Sequence, residues 1–152
     1  MRAYNPITIN RRAKYDYAIT DRIIAGISLQ GPEVKSVRLG RADLKGGFAT
    51  LSGGELWLNN LHIPLYQPAG EQLGSQPDRR RKLLIHKRQL KKVEALKQSG
   101  LNLIPLSIGK QGRFIKLELG IGRGKKRYDK RHSIKQRMAD REALQKIKHK
   151  AK

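Results

Sequence analysis

Cysteine is absent from the 152 residues. That excludes disulfide frameworks, thiolate metal sites, iron–sulfur ligation and cysteine nucleophiles, and leaves no sign of adaptation to an oxidising compartment. Aromatic residues are few, one Trp, two Phe and five Tyr, fewer than a generic single-strand binder interleaves with its bases. Acidic residues are also scarce, 12 Asp+Glu against 34 Lys+Arg, for a formal net charge of +22. No apolar run approaches the roughly 18 residues of a membrane helix. The start, Met1-Arg2-Ala3-Tyr4-Asn5-Pro6, lacks the apolar stretch of a secretory signal. A cytoplasmic location with no membrane partner is therefore expected. What is present is 38% hydrophobic residues and 15 glycines, enough for one modest core, carrying a charge that points to a polyanion.

The charge is unevenly placed. Residues 123–152 hold 13 Lys/Arg and 3 Asp/Glu, net +10, and residues 1–122 hold 21 and 9, net +12. The expected organisation is a folded domain over 1–122 and a basic tail over 123–152. The tail is rich in helix formers, yet Ile134 and Met138 fall on one side of a 3.6-residue helix while Leu144 and Ile147 fall on another. Such a segment is expected to be disordered when free and to become helical against a polyanion that neutralises it.

The body reads as short strands with inserted helices. Odd positions from Tyr17 to Leu29 alternate as a half-buried strand, interrupted at Asp21. Pro32 to Leu39 reads as a short helix ended by Gly40. Phe48 to Leu51 and Glu55 to Leu58 flank Ser52-Gly53-Gly54 as a hairpin. Tyr66 to Pro77 reads as a surface loop. His86 to Ser99 carries Leu90, Val93 and Leu96 on one helical face and stops at Gly100. Leu101 to Ile108 and Arg113 to Ile121 form a second hairpin around Lys110-Gln111-Gly112. The expected fold is mainly β with helices, a small closed barrel of the oligonucleotide-binding type.

Catalytic chemistry finds little support. The four His (62, 86, 132 and 149) have no metal-ligand spacing, and Asp140 and Glu142 lie among cations that keep both ionised. No enzyme activity, metal or cofactor is expected. Gly120-Ile121-Gly122-Arg123-Gly124-Lys125 lacks the spacing of a phosphate-binding loop and reads as a strand end or hinge, with close approach to a phosphate chain as the other option. Phe48, Trp57 and Phe114 read as core, and Tyr15, Tyr17 and Tyr128 as better stacking candidates. The adjacent cations Arg79 to Lys82 repel one another and suit phosphate recognition, so substituting Arg81 or Lys82 is expected to weaken RNA binding. Structured RNA with splayed loop bases fits this balance better than DNA duplex.

Several blocks then carry a specific resemblance: Asn10-Arg11-Arg12-Ala13, Ala25-Gly26-Ile27, Gly31-Pro32-Glu33-Val34-Lys35-Ser36-Val37-Arg38-Leu39-Gly40, Arg79 to Leu84, and Gly124-Lys125-Lys126-Arg127-Tyr128-Asp129-Lys130-Arg131. In order and spacing they resemble the small protein B, or SsrA-binding, family of bacteria over nearly the whole chain. The resemblance implies a monomer that binds the tRNA-like domain of tmRNA and delivers it to ribosomes stalled without a stop codon. It also implies that Asn10 and Leu84 meet RNA, with Arg11, Arg12, Glu33, Lys35, Ser36, Arg38, Arg79, Arg81 and Lys82 in the same RNA-binding blocks. A further contact position, commonly Glu in the family, is Ile24 here. The tail is implied to enter the 16S rRNA decoding centre and mRNA channel through Lys125, Lys126, Tyr128, Asp129, Lys130 and Arg131. Within the barrel motif, Glu33 either accepts a hydrogen bond from a base or holds Lys35 and Arg38 in place. A permanently bound ribosomal or assembly protein would show the same charge, and remains the alternative.

Overall fold

A computed structural model describes residues 2–66, 76–125 and 127–150. In chain order it contains β1 (Tyr4–Ile9), α1 (Arg11–Asp16), β2 (Tyr17–Ile27), α2 (Gly31–Arg38), β3 (Phe48–Ser52), β4 (Glu55–Asn59), β5 (Arg81–Leu84), α3 (Lys87–Gln98), β6 (Asn102–Gln111), β7 (Phe114–Gly124) and α4 (Arg127–Lys150). All strand pairs are antiparallel, in the order β1-β6-β3-β4-β5-β2-β7, and β7 returns to pair with β6. That last pairing closes the sheet into a barrel. The β3–β6 seam rests on the pair Ala49 and Leu103, while β1 continues the same edge of β6 from Ser107 to Gln111.

The period-two pattern of β2 follows from its place in this wall. Ile23, Ala25 and Ile27 are buried, Ile24 is exposed, and the interruption at Asp21 coincides with a register shift between Ile19 and Asp21. Inward side chains from every strand, among them Leu56, Leu58, Leu83, Ile108, Leu117 and Ile121, form one core with Val37 of α2 and Val93 of α3. Each such side chain contributes roughly 1.5–3 kcal/mol by leaving water.

The β3–β4 hairpin turns at Gly53 and Gly54, whose φ values of 61° and 77° suit the strand twist. The second hairpin turns later than its sequence suggests: Lys110 and Gln111 still pair within β6, and the turn falls at Gly112 and Arg113. Helices α2 and α3 match their sequence patterns to within a residue or two. Residues 67–75 of the expected loop lie outside the described residues.

The glycine run before the tail ends β7 at Gly124, as expected, but its first two glycines lie inside the strand. Gly120 and Gly122 are buried and paired inside β7. A Cβ at Gly122 would lie 2.1 Å from the Ala18 carbonyl oxygen, so only glycine lets β2 and β7 approach at the register shift. The strand continues to Gly124, and Lys125 donates its amide to the Asp16 carbonyl at 2.8 Å, fixing the tail's exit beside α1. Helix α4 then leaves Ile134, Met138 and Leu144 exposed, as the missing apolar stripe predicts. It therefore has little tertiary packing to support it.

Candidate nucleic-acid interface

The blocks singled out in sequence divide into residues that build the barrel and residues that face solvent. Arg81, first residue of β5, is 0% exposed, and all five guanidinium hydrogens have acceptors. Nε and Nη2 donate to Glu33 Oε2 at 2.9 and 2.6 Å, Nη2 also to the Pro77 carbonyl at 2.9 Å, and Nη1 to the carbonyls of Arg79, at 3.0 Å, and Leu61. Glu33 completes the unit by accepting from Arg79 and, at 2.8 Å, from the Gln30 amide at the start of α2. Burial alone would raise the Glu33 carboxyl. The Gln30 amide and the guanidiniums of Arg79 and Arg81 outweigh it, holding Glu33 below the ordinary carboxylate range. Burial lowers Arg81 while Glu33 opposes that shift, and a guanidinium stays charged in either case.

This corrects two expectations. Arg81 cannot reach a phosphate, because its fork is enclosed and fully bonded. Glu33 holds Arg79 and Arg81, not Lys35 and Arg38, and both of its carboxylate oxygens are taken by donors within the protein. Two more candidates are turned inward. Ser36 is buried and its Oγ donates to the Pro64 carbonyl at 2.8 Å. Asn10 is buried and its amide nitrogen donates to the carbonyls of Pro105, at 2.9 Å, and Leu44, at 3.3 Å. A run of cations read along the chain looks like one basic patch, but strand alternation sends every second side chain of β5 inward.

The outward residues of the same blocks are accessible. Lys82, opposite Trp57 on β4, pairs with Glu55 at 2.9 Å. Leu84 is 54% exposed and lies beside Gly26, whose other neighbour is Lys116 of β7. Ile24 is 37% exposed on the same outer wall, opposite Glu118. Arg11 and Arg12 are exposed on α1, with Arg12 bonded to Asp16 at 3.3 Å and its guanidinium 4.7 Å from the Tyr15 ring centre. Lys35 and Arg38 are exposed on α2, Lys35 over the Tyr66 ring and Arg38 reaching the Arg113 carbonyl at 3.5 Å. Arg79 is partly exposed. These cations do not form one cluster: α1 adjoins the tail exit, and α2 reaches the β6–β7 turn at the far end of β7.

Sequence reasoning missed β1, α1 and β5, and it misplaced the aromatics. Phe48 and Phe114 are exposed, and Trp57 is half-buried with the Arg80 guanidinium 4.7 Å from its ring centre. All three lie at outward positions of their strands, a parity that the alternation of neighbouring Leu and Ile would have revealed. On the tail, Arg131 is exposed, Tyr128, Asp129 and Lys130 fall within α4, and Lys126 lies outside the described residues. Beside α1, helix α4 borders a groove of about 570 Å³ lined by Arg11, Lys14, Arg22, Glu118, Arg137 and Arg141 among others. Among the described residues no group of three or more His, Asp or Glu side chains is placed to hold a metal ion, and no helix is long and apolar enough to cross a membrane.

Comparison with known proteins agrees with the sequence resemblance. The family model described as SmpB protein matches residues 7–149. An SsrA-binding protein of Streptococcus sanguinis is 45% identical over 141 residues, covering 92% of this chain and 90% of that protein. One from Leifsonia xyli is 46% identical over 143 residues, covering 93% and 90%. A solved structure described as "tmRNA-SmpB: a journey to the center of the bacterial ribosome" superposes with a TM-score of 0.65 at 43% identity, over 83% of this chain and 92% of that one. A closed antiparallel barrel, a basic tail leaving beside α1 and matches spanning almost the full length together make this chain a member of the SmpB family.

Proposed function

We propose that this protein acts in trans-translation: its barrel binds the tRNA-like domain of tmRNA and its tail engages the ribosome to which that RNA is delivered. The observation that carries the reading is the family membership, with SsrA-binding relatives at 45% identity over nine-tenths of the chain. The charge is consistent with it, because two separate basic regions meet two polyanions. The barrel, which runs to the end of β7 at Gly124 rather than to residue 122, presents Arg11, Arg12, Lys82 and Leu84 to tmRNA. The tail, residues 125–152, carries the KKRYDKR block into the decoding centre and mRNA channel. A helix with no apolar face suits a channel walled by phosphate, where each side meets polar ligand. In the free chain we expect it to fray. The protein works in the cytoplasm as an RNA partner without catalytic chemistry of its own.

Titration of the purified chain with the isolated tRNA-like domain tests the first half. Binding through about 6 phosphates gives a log–log salt slope near −4 to −5. Lys82→Gln removes an exposed cation from the outer wall, so the expected result is a slope smaller in magnitude by roughly 0.7–0.9 with the melting temperature unchanged. Salt-independent binding would overturn the electrostatic account.

A further inference from the structure

Phe114 is 59% exposed. Exposure alone would not single it out, since Phe48 is exposed as well; the cations around the ring and its place on the wall do. Two cations attend the ring, the Arg113 guanidinium at 5.3 Å and the Lys116 ammonium at 5.9 Å from its centre. A cavity of about 430 Å³ beside it is lined by Arg2, Gln111, Gly112, Arg113, Phe114 and Lys116. Among the described residues no carboxylate lines it. Gln111 Nε2 donates to the Arg2 carbonyl at 3.0 Å, and Arg38 Nη2 reaches the Arg113 carbonyl at 3.5 Å, so neighbouring chain segments brace this turn.

The position of this group matters as much as its chemistry. Phe114 and Lys116 are two residues apart on β7 and point to the same, outer face. Lys116 pairs with Gly26, and Gly26 with Leu84, so the three positions form one row across β7, β2 and β5. At about 4.8 Å per strand, Lys116 lies roughly 10 Å from Leu84, and Phe114 about 7 Å further along β7. The aromatic therefore continues the wall that the proposed function assigns to tmRNA.

We propose that Phe114, with Arg113, Lys116 and Arg2, is a base-stacking subsite for an unpaired nucleotide of the tRNA-like domain, extending the RNA face from Leu84 to the β6–β7 turn. The base stacks on the exposed Phe114 ring, and the flanking phosphates draw the three cations. The inference rests on the tmRNA reading. A ring supplies stacking without sequence preference, and Arg and Lys supply the phosphate charge.

The test is anisotropy titration of the full-length chain with a labelled tRNA-like domain at fixed salt, alongside thermal melts. Phe114→Ala is expected to weaken binding by about 5- to 100-fold, with the melting temperature unchanged because the ring is already exposed. Phe114→Trp is expected to keep or tighten binding, and Lys116→Gln to reduce the salt slope by roughly 0.7–0.9. Unchanged affinity in Phe114→Ala, with Leu84→Ala weakened, overturns the subsite and leaves the tmRNA reading intact. Equal loss of affinity and stability in Phe114→Ala and Phe114→Trp also overturns it, marking a structural side chain. Failure of the unsubstituted chain to bind the tRNA-like domain overturns the tmRNA reading and the subsite with it.

Discussion

Arg81→Ala is expected to destabilise the barrel by about 3–5 kcal/mol, the usual effect of removing one member of a buried, hydrogen-bonded ion pair. A domain of this size has roughly 5–15 kcal/mol in total, so the variant should melt some 10 °C or more lower. The reason is the acceptors left behind: Glu33 Oε2 and the carbonyls of Leu61, Arg79 and Pro77 all lose a donor. Arg81→Lys should restore little, because an ammonium has three donors and no planar fork. Lys82→Gln, one residue on, should melt as the unsubstituted chain does. Thermal melts of the three variants decide the point. Equal stability for Arg81→Ala would mean that the buried pair does not organise β5 and α2.

The same unit sets an acid response. Glu33 is held below the ordinary carboxylate range, so its stabilising contribution is fully present above the unfolded value of about 4.3 and fades as pH falls through the lower folded value. Glu33→Gln should be destabilised at neutral pH, and the gap between it and the unsubstituted chain should narrow below about pH 4.

Truncation after Gly124 is expected to leave affinity for the tRNA-like domain within roughly threefold, less than about 0.7 kcal/mol, while abolishing tagging on stalled ribosomes. Residues 125–152 hold 12 Lys/Arg and 3 Asp/Glu, net +9, but they leave the barrel beside α1 with Ile134, Met138 and Leu144 exposed, and α4 borders the barrel beside Arg22 and Glu118 rather than at Leu84. A second measurement concerns the free tail. With Ile134, Met138 and Leu144 exposed, no apolar packing by these side chains supports the helix, and fast amide exchange over 127–150 is expected before RNA is added. Collapse of tmRNA affinity on truncation, or a rigid helix in the free protein, would contradict the division of labour between barrel and tail.

Much of this was legible from local pattern. β2, α2, α3 and both hairpins announce themselves by period, caps and turn residues, because each carries its own signal within a dozen residues. β5 does not. Its four residues, Arg81 to Leu84, include two cations, and only the pairing with β4 and β2 reveals that one of them points inward. Asn10 and Ser36 mislead for a related reason: a polar side chain bonded to a distant carbonyl has no mark in sequence, and their acceptors lie at Pro105 and Pro64. Gly122 similarly reads as punctuation until Ala18 is seen against it. The motif blocks identify the family, while the fold decides which of their residues can touch RNA.

The central claim concerns which RNA this surface serves, and sequencing the RNA that co-purifies with the full-length chain from bacterial cells tests it most directly. The account predicts one dominant species with a tRNA-like end, with ribosomes present in substoichiometric amounts. Ribosomal RNA recovered in a fixed ratio, with no such species enriched, would contradict it and make this chain a resident ribosomal or assembly protein.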